Sequence, residues 1–190
     1  RGPSTQKKAM PTSAAKTGDN DGALEDVFLE MPAIFDGRFA MEDAIDFVAD
    51  LAFRYIPCSA AALLFASDAG GTLYCAAARG QGQKAMQDLT LPIEQGLVPF
   101  ALQGGRPVLV ANPASDNRHT VPIGAAIGLP EESLLLAPVQ SGERAFGVVL
   151  LINRTGRKGG FSKYDANIAG YIGDQLGQFV QHMLEAGPLE

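Results

Sequence analysis

Ser133-Leu-Leu-Leu-Ala-Pro-Val-Gln140 and Arg144-Ala-Phe-Gly-Val-Val-Leu-Leu-Ile152 are two apolar runs separated only by Ser141-Gly-Glu143. A connection this short forces the runs to pair antiparallel. Neither run alternates polar with apolar residues, so both faces of the resulting strands must be shielded from water. Helix-period sequence follows from about Ser162 to about Leu184, and one helix covers one face only. A chain containing this hairpin must therefore find a second cover.

The rest of the chain must supply that cover. Residues 1–22 are polar and rich in Lys, Ser, Thr and Gly, and predict a disordered tail or linker. In Ala23–Met31, Leu24, Val27, Phe28 and Met31 fall at helical spacing and Pro32 stops the element. This short amphipathic helix, with its connector to residue 37, is expected to dock on its own domain or on a second copy. A longer helix is predicted from Phe39 to Tyr55, with Met41, Ile45, Val48, Ala52 and Tyr55 on its apolar face and Glu42 and Asp43 in its first turn. Ala60–Ala66 and Thr72–Ala78 read as a hairpin around Asp68-Ala-Gly-Gly71. Met86–Ile93 reads as a third strand, Gly96–Leu102 as a short helix and Pro107–Val110 as a brief strand. Residues 111–132 show no clear period. A stretch of that length inside a compact domain is usually functional, and it is the candidate lid.

The order predicts an α+β fold: a central antiparallel sheet of about six strands, with the N- and C-terminal helices on one face and the lid segment on the other. The domain is expected over 38–185. Residues 186–190 read as a tail of cloning origin on an excised fragment.

A net charge of −6 argues against nucleic acid or an anionic membrane as the main partner. No apolar stretch approaches the roughly 20 residues that span a bilayer, and a cytoplasmic location is expected. Of the two cysteines, Cys75 should face a residue near Leu64 across the hairpin, which puts Cys58 roughly 20 Å away. A disulfide is then out of reach, and two reduced, mostly buried thiols are expected. No metal site is expected from two distant histidines, His119 and His182, and no cofactor is expected. Gly80-Gln-Gly-Gln-Lys-Ala85 has the spelling of a dinucleotide loop but follows an antiparallel hairpin rather than opening a βαβ unit. Ser59, Ser133 and Ser162 lack the setting of a nucleophile elbow, so no catalytic residue is assigned.

Four segments carry a family resemblance. Gly128-Leu-Pro-Glu-Glu-Ser-Leu-Leu-Leu-Ala-Pro-Val139, Phe146-Gly-Val-Val-Leu-Leu-Ile-Asn153, Phe161-Ser-Lys-Tyr-Asp165 and Val108-Leu-Val-Ala-Asn-Pro-Ala-Ser-Asp116 occur in the order found in GAF domains. The chain resembles that family of small-molecule sensing domains over roughly residues 38–184. The resemblance implies a ligand-binding, non-enzymatic regulatory domain. One enzymatic branch, free methionine sulfoxide reductase, needs several cysteines around its pocket, an arrangement that Cys58 and Cys75 do not fit.

Cyclic-nucleotide-binding members share an Asn-Lys, Phe, Asp-Glu pattern. Here Asn153, Phe161 and Asp165 match it, while Arg154 replaces the Lys and Ala166 the Glu. By resemblance, Arg154 and Asp165 would form an ion pair that braces the pocket. A local reading also accounts for Phe161 and Asp165: Ser162-Lys-Tyr-Asp165 spells a capping box preceded by an apolar staple residue.

Element order assigns Leu97, Phe100, Asn112, Asp116, Arg118, His119, Ile123 and Ile127 to the pocket walls. The ligand implied is a cyclic nucleotide or another metabolite. On the closing helix, Ala166, Gly170, Gly173 and Gly177 form a small-residue stripe beside Ile168, Ile172, Leu176, Phe179 and Met183. One stripe is expected on the sheet and the other on the helix at 39–55 or a second protomer, so a homodimer through the terminal helices is a further expectation. Two functions follow: a sensor that binds a small ligand beneath 111–130 and signals through its terminal helices, or a degenerate domain whose pocket is filled by its own side chains and which serves in dimerisation or docking.

Overall fold

The computed structural model describes residues 22–187. The tail expected at 1–21 and residues 188–190 lie outside the described residues. Six strands form one antiparallel sheet in the order β3-β2-β1-β6-β5-β4: β1 Cys58–Ala66, β2 Thr72–Gly80, β3 Thr90–Pro92, β4 Val108–Val110, β5 Leu134–Ser141 and β6 Arg144–Arg154. The expected α+β architecture is the one observed.

The central strands are covered on both faces. Leu135, Ala137 and Val139 of β5 join Val149 and Leu151 of β6 and Ala61 and Leu63 of β1 in one buried core. Leu134, Leu136, Val148, Leu150, Ile152, Ala60, Ala62 and Leu64 join a second core. Strand side chains alternate between faces, so a continuous apolar run feeds two cores at once. Each buried Leu or Ile contributes about 2 kcal/mol relative to exposure. Pro138 lies past the short β4, which pairs only with Leu134–Leu136, in keeping with proline's lack of a ladder donor.

The first core is covered by α1 Ala23–Glu30, α2 Met41–Tyr55 and α6 Lys163–Ala186. A Cβ on Gly173 would lie 2.2 Å from the Pro138 carbonyl oxygen, and one on Gly177 would lie 1.9 Å from that of Gln140. The small-residue stripe therefore brings the α6 backbone onto β5. The bulky stripe from Ile168 to Phe179 is buried in the same core as α1 and α2, so both stripes pack within the chain. α1 likewise docks on its own domain through Ala23 and Val27, and runs into a 3₁₀ turn, Met31–Phe35, that contains Pro32.

The second core is covered by short pieces: α3 Gln83–Met86, α4 Val98–Gly104, a 3₁₀ turn at Pro113–Ser115 and α5 Gly124–Ile127. Residues 111–132 form the strap that crosses this face. One expected strand is shorter than its apolar pattern suggests. Gly82, at φ +70°, opens a single helical turn closed by Met86 N–H donating to Gly82 O at 2.8 Å. Met86 and Leu89 are buried from that turn, and pairing with β2 is confined to Thr90–Pro92.

Leu64 faces Cys75 in the β1–β2 register, and both cysteines are free. Cys58 belongs to the helix-side core, whereas Cys75 is half-buried against the strap-side core. Among the described residues, no helix is long and apolar enough to cross a membrane.

Candidate functional site

The strap face was expected to hold an open chamber. It holds a cavity of about 10 Å³, room for about one water. The expected walls Leu97, His119 and Ile123 do line it, together with Leu91, Val98 and Leu136. These side chains fill the space because Leu136 points from the sheet into the layer that Leu97 and Ile123 close from above. The open chamber is therefore corrected to a self-filled one.

The other expected wall residues are distributed around it. Ile127 is buried in the same core but does not line the cavity. Phe100 is 48% exposed, with the Arg118 guanidinium carbon 5.6 Å from its ring centroid. Arg118 donates to both Asp116 carboxylate oxygens, at 3.0 and 2.7 Å, and to the Leu109 carbonyl. These bonds hold the Asp116 carboxyl down at about 2. Asn112 is exposed, and its carbonyl accepts from the Ser115 amide and hydroxyl.

Glu131 is the group that sequence reasoning missed. One carboxylate oxygen accepts from the Ile123 amide at 2.5 Å and the Gly124 amide at 2.7 Å; the other lies 2.6 Å from His119 Nε2. The histidine side chain is 7% exposed and the glutamate 15%. Burial pushes the Glu131 carboxyl up, but the Gly124 amide, His119 and the Ile123 amide outweigh it and hold it below its ordinary range. In the sequence Pro130-Glu-Glu-Ser133 looks like a solvated turn before a strand. Nothing local marks Glu131 as the acid on which the strap closes.

The motif-like residues are assembled at the far end of the strap. Asn153 occupies the left-handed region at φ +58°, which asparagine tolerates better than most residues. Its side chain accepts from the Glu132 and Ser133 amides and donates to the Pro130 carbonyl at 2.6 Å, fixing the strap's exit. Arg154 donates to Asp165 at 2.9 and 3.2 Å, with side-chain exposures of 5% and 2%. Asp165 also accepts from the Ser162 amide, while Ser162 Oγ accepts from the Asp165 amide. The capping box and the ion pair share one carboxylate, and Phe161 is buried in the helix-side core. The brace thus joins β6, α6 and the strap.

A larger concavity lies on the helical face. A groove of about 710 Å³ runs between Ile34–Ala40 and the last turns of α6. Its apolar lining includes Phe35, Phe39, Phe179 and Met183, with Arg38 and His182 also facing it. Among the described residues, no cluster of His, Cys, Asp and Glu has the makings of a metal site.

The family model described as GAF domain matches residues 40–181. Among curated proteins, none matches the chain in sequence. The fold is similar to the GAF domain of a phosphoenolpyruvate-protein phosphotransferase from Coxiella burnetii, at 16% identity and a TM-score of 0.74, covering 90% of this chain and 99% of that one. It is similar to the A. aeolicus nlh2 GAF domain in an inactive state, at 20% identity and a TM-score of 0.67, covering 86% and 98%. It is also similar to the free methionine-R-sulfoxide reductase of Neisseria meningitidis, solved with its substrate, at 16% identity and a TM-score of 0.69, covering 91% and 98%. At these identities the likeness is one of fold; the family rests on the sequence match over 40–181. The chain belongs to the GAF domain family, a family of regulatory, small-molecule-binding and signalling folds.

Proposed function

We propose that this GAF domain is a non-enzymatic regulatory module that works through its helical face, docking there with a second copy of itself. One contrast carries the reading: about 10 Å³ is open beneath the strap, against a groove of about 710 Å³ between the connector and the end of α6. Phe35 lines that groove and is 43% exposed, and Leu184, on the last turns of α6, is 53% exposed. Grouped exposed apolar residues of this size mark interaction surfaces. The cysteines support a non-enzymatic reading, because burial pushes the Cys58 thiol up to about 12 and Cys75 belongs to the opposite face. Thiolate chemistry at neutral pH needs the reverse.

Multi-angle light scattering on the full chain tests the docking. The expected result is a concentration-dependent dimer that Phe35→Glu and Met183→Glu each convert to monomer. A wild-type monomer at every concentration overturns it.

A second reading, ligand sensing beneath the strap, is favoured by the way the strap is held. Asn153, next to the Arg154–Asp165 brace, fixes its exit, and the Glu131 carboxylate closes its middle. A bound cyclic nucleotide or other metabolite would raise thermal stability. A compound screen with no shift would count against this reading without touching the first.

A further inference from the structure

We infer that Glu131 is a latch, and that releasing it opens the strap face to a small, largely apolar molecule carrying a single hydrogen-bonding group. The inference rests on the sensing reading of that face and adds the regulation and the ligand class.

Among side chains, one group closes the middle of the strap. Glu131 is bonded to His119, Ile123 and Gly124 together, so one side chain draws residues 119–124 back against residue 131. Two of those three residues, His119 and Ile123, also line the remnant cavity. Whatever frees them from Glu131 frees the wall of the cavity. The two flanks do not depend on the latch. Asn153 holds residues 130–133, and Arg118 holds the approach through Asp116 and the Leu109 carbonyl. The segment between them is therefore tethered at both ends and fastened in the middle by the Glu131 side chain, beside one backbone bond from Leu129 N–H to the Gly124 carbonyl at 3.0 Å, the arrangement of a hinged cover.

What then remains is the Leu129 N–H to Gly124 carbonyl bond within the strap, and apolar contact between the strap and its surroundings. Val121 rests on Gly96, where an added Cβ would lie 3.2 Å from its methyl group. Ile127 rests on Gly82, where a Cβ would lie 2.8 Å from its carbonyl oxygen. These glycine seats give close fit but no directional bond from a side chain. Local opening follows the lowest-stability contacts, and the latch is the polar component that opposes it.

The walls set the ligand class. Leu91, Leu97, Val98, Ile123 and Leu136 are hydrocarbon, and His119 and Gln95 are the polar groups at the cavity. With Glu131 withdrawn, the His119 imidazole has a ring nitrogen to offer, and the rest of the chamber rewards burial of apolar surface. A highly charged ligand would lose its hydration without compensating partners. A closed majority state weakens apparent affinity in proportion to the fraction open, so loosening the latch should tighten binding.

Indole is a suitable probe. It is apolar with one N–H, and the chain contains no tryptophan, so its fluorescence is read without tryptophan background. Glu131→Gln keeps the side-chain size and removes the charge from the latch. The expected result is at least tenfold tighter indole binding than in the wild type. Hydrogen exchange at residues 119–124 should quicken tenfold or more, with exchange across 134–152 unchanged. Unchanged affinity and exchange overturn the inference. So does faster exchange without tighter binding, which leaves the compound screen of the sensing reading standing. Binding abolished by Met183→Glu assigns indole to the helical groove and overturns it too. If Glu131→Gln unfolds, Glu131→Asp supplies the same comparison, because the shorter side chain cannot reach His119 and the Ile123 and Gly124 amides together, and His119 stays in place for the ligand.

Discussion

On the helical face, Ile172 and Leu176 are wholly buried and two glycines set the α6 backbone directly on β5. On the strap face, the cover consists of turns of four to seven helical residues, seated on Gly82 and Gly96 and fastened by Glu131. One sheet thus carries two kinds of lid. The first is made of long periodic elements whose burial is cooperative. The second is made of pieces too short to persist alone and kept in place by a few specific bonds. Stability concentrates on one side and the capacity to open on the other, the division expected where a regulated site must yield without unfolding its support.

The largest effect is expected where the two sides meet. Asp165→Ala removes the partner of Arg154 and the acceptor for Ser162 N–H in one step, leaving only the Ser162 Oγ half of the capping box. It leaves a cation that is 5% exposed without its carboxylate. Breaking a buried pair from one side costs about 3–5 kcal/mol. Urea denaturation checks this; a loss below about 1 kcal/mol would mean that the brace is no stronger than a surface pair.

Deleting the same atoms from the two covers sharpens the comparison. Ile172→Ala on α6 should cost about 4 kcal/mol of global stability, because α6 is pinned to the sheet by backbone contact and does not collapse into the void. Ile127→Ala on the strap should cost about 2 kcal/mol, the low end of the same range, because its segment readjusts. Equal losses in urea denaturation would erase the proposed difference.

The helical cover was legible in the sequence and the strap was not, for physical reasons. Periodicity marks a helix that buries one stripe, so α2 and α6 show themselves in the spacing of Ile45, Val48 and Ala52 and of Ile168, Ile172 and Leu176. The doubly apolar β5 and β6 announce that a second cover exists. They do not say how full the space beneath it is, because that depends on how Leu97, Ile123 and Leu136 meet. The capping box at Ser162 and Asp165 is a local bond pattern and was readable from four residues. Glu131 bonds to residues seven, eight and twelve positions earlier, a separation no helix or strand period encodes. The third strand is shorter than its apolar pattern predicts because Met86 and Leu89 are buried from a turn begun by a left-handed glycine, and burial alone imitates a strand pattern.

The cysteines report on the two sides separately. Burial pushes the Cys58 thiol on the helix side up to about 12, and the Cys75 thiol is also raised but half-buried. Native protein at pH 8 should therefore release one equivalent of thiol slowly to a disulfide reagent, from Cys75, and the second only on denaturation. Fast modification of Cys58, mapped by mass spectrometry, would show that the helical cover opens as readily as the strap.

The smallest effect concerns the approach to the strap. Arg118 holds the Asp116 carboxyl at about 2, below its ordinary 3.8. A depressed carboxyl adds stability above its unfolded value and loses it as pH falls through the folded one. The Asp116 contribution is therefore complete above pH 4 and fades between about 4 and 2. Arg118 is 38% exposed in its side chain, so solvent screening leaves the pair about 0.5 kcal/mol. Asp116→Asn should remove that portion of the acid-side slope in urea titrations at stepped pH, with little change at pH 7 beyond the same amount. Because the Asp116 side chain bonds Arg118 and makes no hydrogen bond to the latch, indole affinity at neutral pH should be unaltered in this variant. A large gain in affinity would mean that the strap opens from its approach rather than from Glu131.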